Sequence, residues 1–408
     1  MQYISAAEAA AKWELTVRRV QDLCRSNMID GAVQWGRTWM IPKDAHRPLD
    51  RRKKETVSHH VGLPRLPKRN PAIIMTALYN EPGKGFREKE FANYPRARIL
   101  MEAQISYCQG DIPKCHALTT EVLSEPCGHD LQLGCGIMLA MCAICTGNME
   151  LWNTARETIS TAKCHNPKDT HLTEFWLAAL DSEIYNVGNF PQWFIRGDFT
   201  PLPGDAFTSA RYYYLKYLHV FWYELALGHH ETRDSQLMRS IPYIAEPLIS
   251  QTHKEGAVVS EIYLRIVCAI VYHDLDNEAM AIHHLDTAID LVLPDKLYGL
   301  LAEFRHQLDY LMDERLGLKD PDALQKVRSL SRQFHNGWVK LHNAVLQRSV
   351  SSQLSTRERE IAKLAAFGLG NKDIAQRLHI SVNSVKQTLR SAMDKTGAQR
   401  RSELYRYI

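Results

Sequence analysis

Residues 354–396 read LSTREREIAKLAAFGLGNKDIAQRLHISVNSVKQTLRSAMDKT, and local signals alone place three helices in them. Ser355, followed three residues on by Glu358, forms a capping box, and Ile361, Leu364 and Ala365 supply one apolar stripe behind it. Gly368 is a left-handed stop for that helix. A short second helix starts near Asn371 with Ile374, Ala375 and Leu378 inward. His379–Ser381 turns the chain, and Ser381 caps a third helix. There Val382, Val385, Leu389 and Met393 recur at spacings of three and four, which assigns them to the buried face. By subtraction Asn383, Lys386, Gln387, Arg390 and Asp394 face outward.

Those outward residue types carry the reading. Lys and Arg donate to guanine edges, and Asn and Gln pair with adenine. Ser384 and Thr388 border the face, placed to donate to phosphates. The competing reading is a solvated face on a structural bundle. Two capped helices, a tight turn and a polar third helix favour a DNA-binding helix-turn-helix. The segment 351–408 resembles the LuxR-type helix-turn-helix module, whose signature runs close to LTxREREVLxLxxxGxSNKEIAxxLxISxxTVKxHxxxIxxKLG. The resemblance implies base reading by Lys386, Gln387 and Arg390, with Lys372 facing the DNA backbone. It further implies a fourth helix over 402–408 through which the module dimerises, hence a homodimer on a two-fold site in double-stranded DNA. Gly370 stands where the family has a Ser cap, Ser384 where it has Thr, and Thr388 where it has His.

Residues 5–42 repeat the theme with different parts. Ser5 and Glu8 form a capping box ahead of a helix through Trp13, and Thr16 caps a second helix with Val17, Val20 and Cys24 inward and Arg18, Arg19, Gln21 and Arg25 outward. GAVQWGRTWMIP, residues 31–42, reads as two short strands joined at Gly36-Arg37, a hairpin wing with Arg37 at its tip. The stretch is similar to small MerR-like and excisionase-type winged helix-turn-helix domains, which implies DNA contacts from Arg18, Arg19 and Arg37. A degenerate domain kept for dimerisation or partner contact is the alternative. Glu14 departs from the Gly that the family prefers in its turn.

Charge is distributed unevenly along the 408 residues. Residues 1–70 hold 14 basic against 7 acidic side chains, residues 351–408 hold 11 against 5, and the middle holds 25 against 34. Two basic ends therefore flank an acidic centre, the pattern of ends that neutralise phosphates and a middle that does not lie on DNA. Residues 47–70 combine prolines with eight basic and two acidic residues and read as a basic linker.

Between 91 and 348 strand signals are nearly absent. Breaks at Gly110-Asp111, Gly147-Asn148, Gly188-Asn189, Gly228-His229 and Asp276-Asn277 fall at intervals of 37, 41, 40 and 48, the rhythm of paired helices. Ala281, Leu285, Ala288 and Pro294 come near the small, bulky, small and Pro positions of a tetratricopeptide repeat, so 71–350 resembles a degenerate tetratricopeptide-like solenoid. Seven cysteines between Cys108 and Cys164, with His116, His129 and His165 among them, suggest either a redox or metal sensor or buried small hydrophobes; their spacing matches no zinc or iron-sulfur pattern. An aromatic run, Trp193, Phe194, Phe199, Phe207, Tyr212, Tyr213, Tyr214, Tyr217 and 221–223, suggests core packing or a ligand pocket.

No phosphate-binding loop, zinc-protease helix, serine elbow or dinucleotide fingerprint occurs in the sequence, which argues against an enzyme. The N-terminus lacks a signal peptide's apolar core, and the most apolar runs span about half a membrane. The expectation is a mostly α chain. It comprises a winged helix-turn-helix over 1–46, a linker over 47–70, a helical sensor or interaction domain over 71–350 and a LuxR-type domain over 351–408. Functionally it reads as a cytoplasmic, homodimeric, sequence-specific DNA-binding transcription regulator whose middle senses a small ligand or protein partner. It has no cofactor, no metal and no membrane association. The alternative is a helical-repeat interaction scaffold with vestigial DNA-binding ends.

Overall fold

A computed structural model of the chain describes residues 3–13, 15–25, 29, 32–35, 38–43, 45, 82–84, 91, 93–228, 236–347, 350 and 354–406, with backbone alone at Arg19, Trp35, Asp205, 221–228, Asp309, Thr356, Tyr405 and Arg406. They divide into two compact units, Met1–Gly62 and Leu63–Ile408.

In the first unit, β1 (Tyr3–Ser5), α1 (Ala6–Trp13), α2 (Val17–Arg25), β2 (Val33–Trp35) and β3 (Thr38–Pro42) follow in order. The capping box forms as read: Ser5 N donates to Glu8 Oε2 at 2.7 Å, and Glu8 N donates to Ser5 Oγ at 3.2 Å. The hairpin strands pair with Val33 opposite Met40 and Trp35 opposite Thr38. β1 adds a third, antiparallel strand on the far side of β3, with Ser5 opposite Met40. Three residues are too few to show an alternation, so β1 is not visible in the sequence. The inward set of α2 needs one correction. Val20, Leu23 and Cys24 are buried, whereas Val17 is 42% exposed: the helix packs through its later turns, and its first turn stands in solvent.

The second unit is helical. Its elements are α3 (Pro95–Gln109), α4 (Ile112–Leu123), α5 (His129–Thr146), α6 (Met149–Ser160), α7 (Pro167–Glu183), α8 (Gln192–Ile195), α9 (Phe207–Gly228), α10 (Gln236–Lys254), α11 (Val258–Asp274), α12 (Glu278–Val292), α13 (Tyr298–Lys319) and α14 (Pro321–Leu346). Three further helices follow: α15 (Thr356–Ala366), α16 (Asn371–Arg377) and α17 (Val382–Thr396).

Three of the breaks share one construction. Gly110, Gly147 and Asp276 adopt left-handed backbone with φ of 84°, 65° and 59°, ending one helix. The next residue in each case caps the following helix, through Asp111 to Lys114 N at 3.1 Å, Asn148 to Leu151 N at 3.0 Å and Asn277 to Met280 N at 3.3 Å.

Successive helices pack on one another: α3 with α4, α5 with α6, α10 with α11, α11 with α12 and α13 with α14. Ala281, Leu285 and Ala288 of α12 are fully buried. The last pair then returns to α3 and α5. A Cβ on Gly337 of α14 would lie 2.1 Å from Ile144 O of α5, and one on Gly299 of α13 would lie 2.5 Å from Tyr107 O of α3. A repeat stack that touches only nearest neighbours lacks this closure. Inside it, Tyr107 and Tyr263 donate to Glu303 Oε1 at 2.6 and 3.1 Å. Burial, reinforced by nearby Glu183, pushes Glu303 up to about 8, which favours its protonated form.

Most of the cysteine run lies in the core, with Cys127 half-buried and Cys164 exposed. Cys108, Cys115, Cys135, Cys142 and Cys145 are buried, and burial pushes the Cys108 and Cys145 thiols well up, away from thiolate chemistry. Among the described residues no group of His, Cys, Asp or Glu is placed to hold a metal ion. The three consecutive tyrosines point into different neighbours: Tyr212 meets Tyr263, Tyr213 meets Phe175 and Trp176, and Tyr214 meets Phe194 and Phe199. The helix α5 is long and apolar enough to cross a membrane, with mean hydropathy 1.3, and 78% of it is buried inside the fold.

Replacing a helical glycine by alanine ordinarily gains up to about 1 kcal/mol of helix propensity. At Gly337 the added methyl collides with α5 backbone, which cannot swing away. Gly337→Ala is expected to destabilise the protein by about 1–3 kcal/mol in urea unfolding; an unchanged or raised midpoint would contradict the close α5–α14 approach.

Candidate nucleic-acid interface

Residues 354–404 build a core of their own from Leu354, Ile361, Ile374, Val385, Leu389, Ala392 and Leu404. Its organising group is Glu358. Ser355 N donates to Glu358 Oε2 at 2.7 Å, and Glu358 N donates to Ser355 Oγ at 3.3 Å, closing the capping box that starts α15. The same carboxylate accepts from two residues of α17: Ser391 Oγ at 2.6 Å and Lys395 Nζ at 2.7 Å. Burial alone would raise its pKa, but these donors outweigh burial and hold Glu358 at about 2.

The second helix starts at Gly370, which has no side chain to cap it. Half of the box survives, since Asp373 Oδ2 accepts from Gly370 N at 3.1 Å. Ser381 caps α17 by accepting from Ser384 N at 3.0 Å, and the Ser381 and Ser384 hydroxyls lie 2.8 Å apart. Ser384 is thus drawn into its own helix cap. Val385, Leu389 and Ala392 are buried, while Val382 and Met393 are half-buried. Asn383, Lys386, Gln387, Arg390 and Asp394 are exposed together along the opposite face, and Lys372 is exposed on α16. The residues that periodicity assigns to one outward face do share it.

Two features differ from expectation. The fourth helix expected over 402–408 is a 3-10 segment, Arg401–Arg406, whose Leu404 is fully buried, so its apolar residue closes the local core. Arg401 ties the segment down by donating to Leu369 O at 2.5 Å. Secondly, three basic residues face the helical domain. Lys363 Nζ meets Asp274 Oδ1 at 3.1 Å, Arg377 Nη2 meets Asp276 Oδ1 at 2.7 Å, and Arg359 Nη1 lies 2.6 Å from His335 Nε2. Asp274 also accepts from His219 at 3.0 Å. Its burial opposes ionisation, yet Lys363 and His219 prevail and hold it well below the usual carboxylate range. The sequence reading missed this junction. Its signal was present in the opposite charges of the acidic middle and the basic end. The contacts come from α15 and the end of α16, leaving the outward face of α17 open.

At the other end of the chain, Arg18 is exposed on α2. The Arg19 side chain and Arg37 lie outside the described residues.

Residues 352–408 match the GerE family model, described as Bacterial regulatory proteins, luxR family. No curated protein and no solved structure matched the chain. The C-terminal segment is thus a LuxR-family helix-turn-helix domain, which supports a DNA-binding transcription regulator.

The tie from Glu358 to α17 has a pH signature. A carboxyl lowered from 4.5 to about 2 on folding stabilises fully above pH 4.5 and loses that contribution as pH falls toward 2. Glu358→Gln is expected to lower the thermal midpoint of the chain at neutral pH, with the gap to wild type narrowing through that acid range. A gap independent of pH would contradict the ionised tie.

Proposed function

We propose that this protein is a cytoplasmic, homodimeric transcription regulator that reads double-stranded DNA with the outward face of α17. Lys386, Gln387 and Arg390 contact base edges in the major groove. Asn383 borders them, and Ser384 and Lys372 engage the phosphate backbone. The observation that carries this reading is the joint exposure of Asn383, Lys386, Gln387 and Arg390 on one face of α17 within the LuxR-family segment. Four sections divide the labour: a MerR/excisionase-like winged domain over 1–46, a basic linker over 47–70, a helical effector domain over 71–350 and the reading domain over 351–408.

The helical middle receives a small ligand or a protein partner and passes the signal across the Asp274 and Asp276 contacts. Arg18, Arg19 and Arg37 add a second DNA contact from the N-terminal unit. Two modest readers on one chain gain affinity through effective concentration when their sites are suitably spaced.

On an operator selected with the full chain, Lys386→Ala and Arg390→Ala are each expected to cost about 1–3 kcal/mol of specific affinity. The measurement is binding to that operator and to random duplex across a salt series. Wild-type affinity in both variants would overturn the assigned reading face. Removal of 351–408 should abolish operator binding; a truncated chain that keeps its promoter response would favour the scaffold reading.

A further inference from the structure

The helical domain and the reading domain keep separate apolar cores. Among the described residues from 354 onward, Phe367 alone packs against both. A cavity of about 120 Å³ lies between them, lined from both sides, with room for several water molecules. Close packing therefore does little to join the two domains, and the polar contacts between them decide how they dock.

Two of those contacts meet at one corner, where α11 ends at Asp274 and α12 begins at Glu278. The oxygens of Asp274 are divided between neighbours: Oδ2 accepts from His219 of α9 at 3.0 Å and Oδ1 from Lys363 of α15 at 3.1 Å. That side chain is 9% exposed, so water does not readily replace either partner. Two residues on, Asp276 Oδ1 meets Arg377 of α16 at 2.7 Å, at the exposed rim of the junction, where an ion pair is worth less. The backbone of Asp276 adds a second observation. At the comparable corners Gly110 and Gly147 supply the left-handed residue, and here an aspartate carries the same conformation at φ 59°. Glycine adopts it without steric cost and aspartate does not. What glycine lacks is a carboxylate for Arg377.

We propose that this corner is a latch that docks the reading domain on the helical domain with the outward face of α17 open, and that α9 is its input. His219 fixes the carboxylate that in turn holds Lys363. A displacement of α9 that withdraws His219 frees Asp274 to turn and loosens α15, without any contact to α17. Regulation then works on the docking of the reading domain and not by uncovering its reading face. This inference names the mechanism by which the helical middle acts, and so rests on its proposed effector role.

The test is amide hydrogen exchange of the full chain without DNA, read segment by segment by mass spectrometry. Asp274→Asn keeps the shape and removes the charge, and should speed exchange in α15 to α17 by about tenfold or more while α5 and α6 stay as in wild type. His219→Ala, a change wholly within the helical domain, should speed the same three helices. Asp276→Gly should speed them by about two- to fivefold, with α11 and α12 no faster because glycine relieves the corner. Adding Lys363→Gln to Asp274→Asn should bring little further effect, since the two residues form one contact. Unchanged exchange of α15 to α17 in Asp274→Asn or in His219→Ala overturns the proposal. So does equal acceleration in α5 and α6, which would make Asp274 a support of the helical fold. Tighter operator binding by these variants also overturns it, because the corner would then be an inhibitory contact. Variants that loosen α15 to α17 in a chain that binds no operator refute the DNA-reading function alone. A chain that reads its operator while every variant exchanges as wild type refutes the latch alone.

Discussion

One buried carboxylate sets the geometry on which the proposed DNA reading depends. Glu358 closes the cap of α15 and also accepts from Ser391 and Lys395 of α17. The helix that presents Lys386, Gln387 and Arg390 is therefore fixed in rotation by polar bonds on one side and by Val385, Leu389 and Ala392 on the other. A reading face tolerates little rotation, because bidentate contacts to a base edge demand fixed side-chain origins. The same residue that starts the first helix thus aims the third.

The opposite side of α15 serves a different purpose. Through Lys363 it reaches Asp274, a carboxylate that is 9% exposed and also bonded to His219. Removing one partner of such a buried pair leaves an uncompensated charge, so the junction between the helical and reading domains is sensitive to small changes at its edge.

Legibility in the sequence followed the range of the interactions. Capping boxes at Ser5 and Ser355, the left-handed stop at Gly368, the helix breaks at Gly110 and Gly147 and the outward set on α17 are all encoded within about one helical turn, and each appears where the residues place it. The strand β1 escaped because its pairing partner lies more than thirty residues away. The return of α14 onto α5 escaped because Gly337 looks like any helical glycine until a neighbouring backbone lies 2.1 Å from its absent Cβ. By charge alone Lys363 and Arg377 belong to a basic, DNA-seeking end. Charge sign alone does not say whether a cation meets a phosphate or an aspartate of its own chain.

Base reading by α17 is tested most directly by a change of specificity rather than of affinity. Gln387→Arg replaces an adenine-pairing amide with a guanine-pairing guanidinium on an exposed position that leaves the core intact. Sequences selected from a random duplex pool with the full chain should then differ from the wild-type set at a defined position in each half-site, with guanine gained there. An identical selected set would contradict the central claim that this face of α17 reads DNA.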